Sequence, residues 1–264
     1  MKIQLVQTKL LEILNYLYVD GLFPFAIITT KDGKLVSSQS DKIQDKGGFA
    51  YRFVQFSPDY FKEISQQQET IKIDVEKVKG FASLRKPDDI ITLEFPSPTS
   101  PNKLLISGGG AKNNIAIVKV DEQEIKTGLP FVMKEKVPYI QKGEVALDTH
   151  VVMSLSSFRT IDAYASKHGT EFYKYHIGKD RKLLVTVGDI HGFEDSTDIE
   201  PTCQVLAVNE EVNVIFTKGI KEITKVFSHD VDICMRSNLP AWFSEVSQSI
   251  KFGVMISPYL KKDE

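Results

Sequence analysis

Residues 70–95 read TIKIDVEKVKGFASLRKPDDIITLEF, and the way this stretch divides decides the fold. Thr70 to Asp74 alternate polar and apolar side chains with the period of two that buries one face of a strand. From Val75 the apolar residues fall at helical spacing instead, and Asp74 offers a carboxylate to the first free amides, so a helix is expected over 75–86. DIITLEF, 89–95, then returns to the strand period. A strand feeds a helix that feeds a strand.

The same alternation runs outward in both directions. NKLLIS, NIAIVKV, EFYKYHI, KLLVTV, CQVLAV, VNVIF, VDICM and IKFGVMI read as further strands. Turn signals at Lys31-Asp32-Gly33-Lys34 and Gly178-Lys179-Asp180 separate neighbours. Three more helices are expected over 8–18, 156–168 and 217–227, opened by Thr8, Ser156 and Thr217. Leu10, Leu11, Leu14 and Leu17 form the apolar stripe of the first, and Ile220, Ile223 and Phe227 that of the last. Gly108-Gly109-Gly110 is expected in an enlarged hairpin turn, and PSPTSPNK, 96–103, in a Pro-rich one.

The order of elements repeats. Strand, helix and strands occur twice within 1–120 and twice again within 142–264, which predicts two similar domains joined by a connector at 121–141. That connector begins a charged stretch in which Gly128, Pro130 and Pro138 oppose any long regular element. A length of 264 residues suits two cores better than one.

The composition, 42% hydrophobic and 26% charged with a formal net charge of −2, is that of a folded globular chain and excludes a wholly basic nucleic-acid coat. No apolar run reaches the length of a membrane span, and MKIQLVQTKLLEIL is interrupted by polar residues, so an unprocessed intracellular protein is expected. Cys203 and Cys234 lie in strand-like runs without ligand spacing and are expected as buried reduced thiols.

Charge is unevenly placed. The four predicted helices hold Lys9, Lys77, Lys79, Arg85, Lys86, Arg159, Lys167, Lys218, Lys221 and Lys225 against Glu12, Glu76, Asp162 and Glu222, a sum of +6 that leaves −8 for everything else. Ordinary solvated helix faces would account for any one of these helices, but less well for the concentration on all of them. Gathered on one face, such residues give sequence-neutral attraction to phosphates.

One motif points to different chemistry. In KLLVTVGDIHGFED, 182–195, a strand runs into Gly-Asp-x-His-Gly, and Asp189 with His191 could ligate a metal ion in a phosphoesterase. A two-metal site needs further ligands. FEDSTDIEPTC and VNEEVNVIF contain neither a second Gly-Asp nor an Asn-His, and downstream only His229 remains. A strand followed by a surface loop is the expected structure, with no metal and no cofactor.

LVQTKLLEIL, the 70–95 stretch, TGLP in the connector, VNEEVNVIFTKGIKEITKVF and SNLPAWFSEV with IKFGVMISPYL resemble, in order and spacing along essentially the whole chain, the DNA sliding clamps of the proliferating cell nuclear antigen type. The resemblance implies an α+β protomer of two similar domains, each built of repeated βαβββ units, with helices on one face and antiparallel sheets on the other. It implies a non-enzymatic ring, usually of three chains, whose helices face duplex DNA and which tethers polymerase, clamp loader and replication or repair proteins in the nucleus, nucleoid or cytoplasm. A checkpoint-type or heterotrimeric clamp subunit and a viral processivity factor are the related alternatives. It further implies a pocket for partner peptides at Leu129, Pro130, Pro240, Met255, Ile256, Ser257, Pro258 and Tyr259. The first helix departs from the family pattern, carrying Lys9 as its only cation.

Overall fold

The computed structural model describes residues 1–19, 22–43, 48–118, 120, 131–134, 137–140, 144–170, 172–188, 196–217 and 219–259, with the side chains of 41–43 and 48 left aside. In chain order the elements are β1 (Lys2–Val6), α1 (Gln7–Leu17), β2 (Phe25–Lys31), β3 (Lys34–Ile43), β4 (Gly48–Phe56), β5 (Glu63–Ile64), β6 (Glu69–Asp74), α2 (Val75–Ser83), β7 (Ile90–Glu94), β8 (Lys103–Gly108) and β9 (Ala111–Ala116). They continue with β10 (Val132–Lys134), β11 (Val137–Ile140), β12 (Val145–Ala146), β13 (Thr149–Met153), α3 (Leu155–Lys167), β14 (Tyr173–Ile177), β15 (Leu183–Gly188), β16 (Ser196–Ile199) and β17 (Cys203–Ala207). β18 (Val212–Phe216), α4 (Gly219–Thr224), β19 (Val231–Met235), β20 (Ala241–Val246) and β21 (Ile250–Ile256) complete the chain. A βαβββ order recurs at β1-α1-β2-β3-β4, β6-α2-β7-β8-β9, β13-α3-β14-β15-β16 and β18-α4-β19-β20-β21.

The chain divides into two compact units. The first comprises Met1–Gln39, Arg52–Gly128 and Val246–Phe252, and the second Ser40–Tyr51, Leu129–Glu245 and Gly253–Glu264. Unit 1 contains an antiparallel sheet of order β5-β1-β7-β8-β9, together with β2 paired between β3 and β6. Alternation decides what each strand buries: Ile3 and Leu5 of β1, Ile91 and Leu93 of β7, and Leu104 and Ile106 of β8 point inward. Of these, Ile3, Leu5 and Leu93 meet Leu10, Ile13, Leu14 and Leu17 of α1, with Ile28, Leu35 and Ile73 completing an aliphatic cluster. Leu11, counted with the stripe in the sequence, is only half-buried, while Ile13 belongs to it.

Unit 2 contains the antiparallel sheet β16-β15-β14-β18 and the neighbours β17-β13-β19-β20. Its core includes a cluster of rings. Phe243 packs against Phe158 of α3, Tyr175 of β14 and Phe216 of β18, at centroid distances of 6.1, 6.3 and 5.6 Å. These rings add dispersion to the aliphatic residues around them, as Tyr16, Phe56 and Phe252 do in unit 1.

Several local details differ from the sequence reading. The Gly-rich turn is tight, not enlarged: Gly108 faces Ala111, and Gly109 and Gly110 form a two-residue loop with φ of 56° and 78°, angles that L side chains resist. α2 stops at Ser83, so Arg85 and Lys86 lie beyond it, and α4 stops at Thr224, short of Phe227. Asp74 caps α2 as expected, accepting the Lys77 amide at 3.2 Å. Thr8 does not cap α1, because the chain passes straight from β1 into the helix and the Gln7 amide finds the Asp89 carbonyl at 2.9 Å. Ser154, not Ser156, caps α3 through the Ser157 amide, while Asp230 takes the Leu155 amide at 3.0 Å.

Candidate nucleic-acid interface

Within unit 1, α1 and α2 lie against each other, α1 over β1 and β7 and α2 over β6 and β9. Burying Leu10 and Leu14 on one side and Val75, Val78 and Ala82 on the other leaves Thr8, Glu12, Asn15, Glu76 and Lys77 exposed. Gln7, buried, donates from Nε2 to the Ala82 carbonyl at 3.1 Å and fixes the two helices to each other. Lys9, Lys79 and Arg85 are half-buried and lie along this pair. Lys79 Nζ donates to Asn15 Oδ1 of α1 at 3.2 Å.

Three of these cations rest on rings. Lys9 Nζ is 4.5 Å from the Tyr60 centroid, Lys79 Nζ 5.8 Å from that of Tyr18, and the Arg85 guanidinium 4.3 Å from that of Phe81. Lys77 pairs with Asp74 at 3.1 Å but its side chain remains 66% exposed. Water screens such a pair heavily. Arg85 and the exposed Lys86 sit just past the C-terminal end of α2, where the helix dipole favours positive charge for its own reasons. Part of the cation excess is therefore a capping effect as well as a surface field.

Within unit 2, α3 and α4 touch, and α3 also packs on β15. Phe158, Ile161 and Ala165 are buried, so Arg159 and Lys167 are exposed. Arg159 Nη2 donates to the Phe227 carbonyl at 3.2 Å, and Glu245, buried, accepts the Ser228 and His229 amides at 2.9 Å each. The first contact ties the segment after α4 to α3, and the other two tie it to β20. Lys221 is half-buried and Lys225, one residue past α4, is exposed. Lys218 lies outside the described residues.

The acidic side chains of the helices are engaged by tyrosines. The Tyr60 hydroxyl donates to Glu12, Tyr18 to Glu76 at 2.9 Å and Tyr173 to Asp162 at 3.2 Å. Burial, with Glu12 beside it, pushes the Tyr60 phenol well above its ordinary range, and burial with Asp162 does the same for Tyr173. Both remain protonated donors at neutral pH. Glu222 is buried. These tyrosines were missed in the sequence, since Tyr60 stands 48 positions from Glu12 and Tyr18 58 from Glu76.

Of the candidate peptide pocket, Leu129 and Pro130 lie outside the described residues. Pro240 is half-buried, and Met255 and Ile256 are buried at 3% and 0% exposure within unit 2. Ser257, Pro258 and Tyr259 are half-buried. Ser257 is held by Phe49, whose amide donates to its Oγ at 2.8 Å, and the Tyr259 amide donates to Ile215 at 2.7 Å. Phe131, within the connector, packs edge-on against Trp242 at 4.7 Å, and Trp242 lies directly on Gly253.

Asp189 and His191 also lie outside the described residues. The strand before them, β15, is paired antiparallel with both β14 and β16, which is not the strand-then-helix setting of a phosphoesterase. Among the described residues no cluster of three His, Cys, Asp or Glu is placed to hold a metal, and no helix is long and apolar enough to cross a membrane. Cys234 is buried; Cys203, expected buried, is only half so, and both are free thiols. Burial and Asp232 push the Cys234 thiol up to about 12.

No protein-family model matches the sequence, and no curated protein matches it. Solved structures do match the fold over its full length. PCNA of A. fulgidus, solved with the C-terminal region of FEN-1 bound, aligns with a TM-score of 0.73 at 16% identity over 99% of both chains. PCNA of Entamoeba histolytica aligns with a TM-score of 0.73 at 12% identity over 98% of both. The chain has the sliding-clamp fold, α+β with many antiparallel strand pairs among the described residues.

Proposed function

We propose that this chain is a subunit of a DNA sliding clamp, a scaffold and not a catalyst, which closes with further copies into a ring around duplex DNA. The observation that carries this is the concentration of cations on and beside the paired helices of a clamp fold in an otherwise acidic chain. Lys9, Lys77, Lys79, Arg85, Lys86, Arg159, Lys167, Lys218, Lys221 and Lys225 would supply weak, exchangeable phosphate contacts that read no sequence. A ring is retained by topology, so such contacts suffice for tethering without impeding movement.

Docking of polymerase, clamp loader and repair proteins through a short peptide is the second half of the reading. The bound FEN-1 segment in the A. fulgidus structure supports it by analogy of fold. Here the pocket would involve Leu129, Pro130, Pro240 and the half-buried Ser257 to Tyr259, with Met255 and Ile256 acting as its buried floor. A specialised subunit that assembles only with different chains is the alternative, favoured by the low identity of 12–16% and the lack of a matching family model.

Light scattering of the pure protein, followed by loading onto a nicked plasmid, tests both. A mass of three chains and retention that is lost on linearising the plasmid are expected. A monomer that acquires retention only with a second chain favours the specialised subunit, and equal retention on circular and linear DNA contradicts encirclement.

A further inference from the structure

Two helix-surface ion pairs that the sequence offers are not made. Lys9 and Glu12 are three residues apart on α1, and Glu76 and Lys79 three apart on α2, the spacing at which opposite charges ordinarily meet. In each case a tyrosine stands between them. The Tyr60 hydroxyl donates to Glu12 while Lys9 Nζ lies 4.5 Å from the centre of the same ring. The Tyr18 hydroxyl donates to Glu76 at 2.9 Å while Lys79 Nζ lies 5.8 Å from that ring. One phenol thus gives its edge to the acid and its face to the base.

We propose that Tyr18 and Tyr60 are positioning residues for the cationic face of α1 and α2, each separating a lysine from the carboxylate three residues away so that the ammonium stays available to a phosphate. A ring face attracts an ammonium through its quadrupole without occupying its N–H donors, whereas a carboxylate occupies them and cancels the charge. Lys79 gives one donor to the neutral Asn15 amide at 3.2 Å, which leaves its charge and its other two donors. Because burial and Glu12 raise the Tyr60 phenol, its hydroxyl remains a donor across the physiological range. The arrangement occurs once on each helix, with the order of acid and base reversed, so it does not depend on one local geometry. Its use in holding lysines for phosphates rests on the clamp reading; the separation of the pairs does not.

The test is Tyr18→Phe with Tyr60→Phe, which keeps both rings and removes both hydroxyls. A crystal structure of this variant should show Lys9 and Lys79 within ion-pair distance of Glu12 and Glu76. The slope of log K against log salt for a short duplex should fall by about 0.9 for each lysine withdrawn, about 1.8 for the two. In a Glu12→Gln, Glu76→Gln background the same tyrosine changes should leave the slope where it was, an outcome that a merely structural role would not give. Lysines still apart from the acids in the variant crystal overturn the proposal whether or not the duplex binds. Ion pairs formed with an unchanged slope, or a slope loss that persists without the carboxylates, overturn the phosphate role alone. If the unmodified protein binds no duplex while the crystals show the ion pairs forming, the clamp reading fails and the positioning role stands.

Discussion

In unit 1 the cations Lys9, Lys79 and Arg85 each lie over an aromatic ring, while in unit 2 Arg159 is fixed by the Phe227 carbonyl and Lys167 stands exposed at the end of α3. The predicted helix segments of each half nevertheless carry the same sum, +3 at 8–18 with 75–86 and +3 at 156–168 with 217–227. Beneath them the packing differs in detail: α1 covers an aliphatic cluster with the rings of Tyr16, Phe56 and Phe252 to one side, whereas the rings under α3 are gathered around Phe243. Two unlike packings therefore present equal charge. What the halves have in common is the field above the helices, not the side chains that support it.

Substitutions in the two cores should separate the units most. Phe243→Ala removes the ring that Phe158, Tyr175 and Phe216 share and should cost about 3–5 kcal/mol in urea unfolding. Leu14→Ala in unit 1 should cost about 2–5 kcal/mol, with a smaller cavity to collapse. If Phe243→Ala falls below 1 kcal/mol, the aromatic cluster does not hold unit 2 together. Two separate transitions in one variant would assign each loss to its own unit.

High pH sharpens the same contrast. The folded phenols of Tyr60, Tyr173 and Tyr175 are raised, chiefly by burial, above the unfolded value near 10. Their contribution is fully present below about pH 10 and is lost as the pH climbs past it, because the unfolded chain releases those protons first. Each phenol should steepen the loss by up to about 1.4 kcal/mol per pH unit. Replacing Tyr173 and Tyr175 with Phe should flatten the alkaline limb more than replacing Tyr60 alone. An alkaline limb indifferent to all three would show that these hydroxyls are not held protonated by the fold.

The helices and most strands were legible in the sequence because the apolar period changes sharply, as at Asp74–Val75. Their ends were less so. Thr8 and Ser156 looked like caps, yet the Gln7 and Leu155 amides are met by Asp89 and Asp230, which only the fold brings near, and the local cap of α3 is Ser154. Arg85 and Lys86 were legible as cations but not as residues beyond the helix. The tyrosine partners were invisible, since nothing local relates Tyr60 to Glu12, although Lys9-x-x-Glu12 and Glu76-x-x-Lys79 did mark where an ion pair was on offer. Met255 and Ile256 looked like a pocket wall, but all of Phe252 to Ile256 is buried, so alternation gave no sign of which side faced out.

Under the proposed clamp role the helix cations, and not the total charge, meet the duplex. Two variants of equal net charge decide it: Lys77→Ala, Lys86→Ala and Lys167→Ala on the helices and their ends, against Lys103→Ala, Lys182→Ala and Lys251→Ala, which are exposed on and beside strands. The salt dependence of duplex binding should lose up to about 0.9 log units for each helix lysine removed and stay unchanged in the strand variant. Equal losses in both would show that total charge, and not its place on the helices, governs binding.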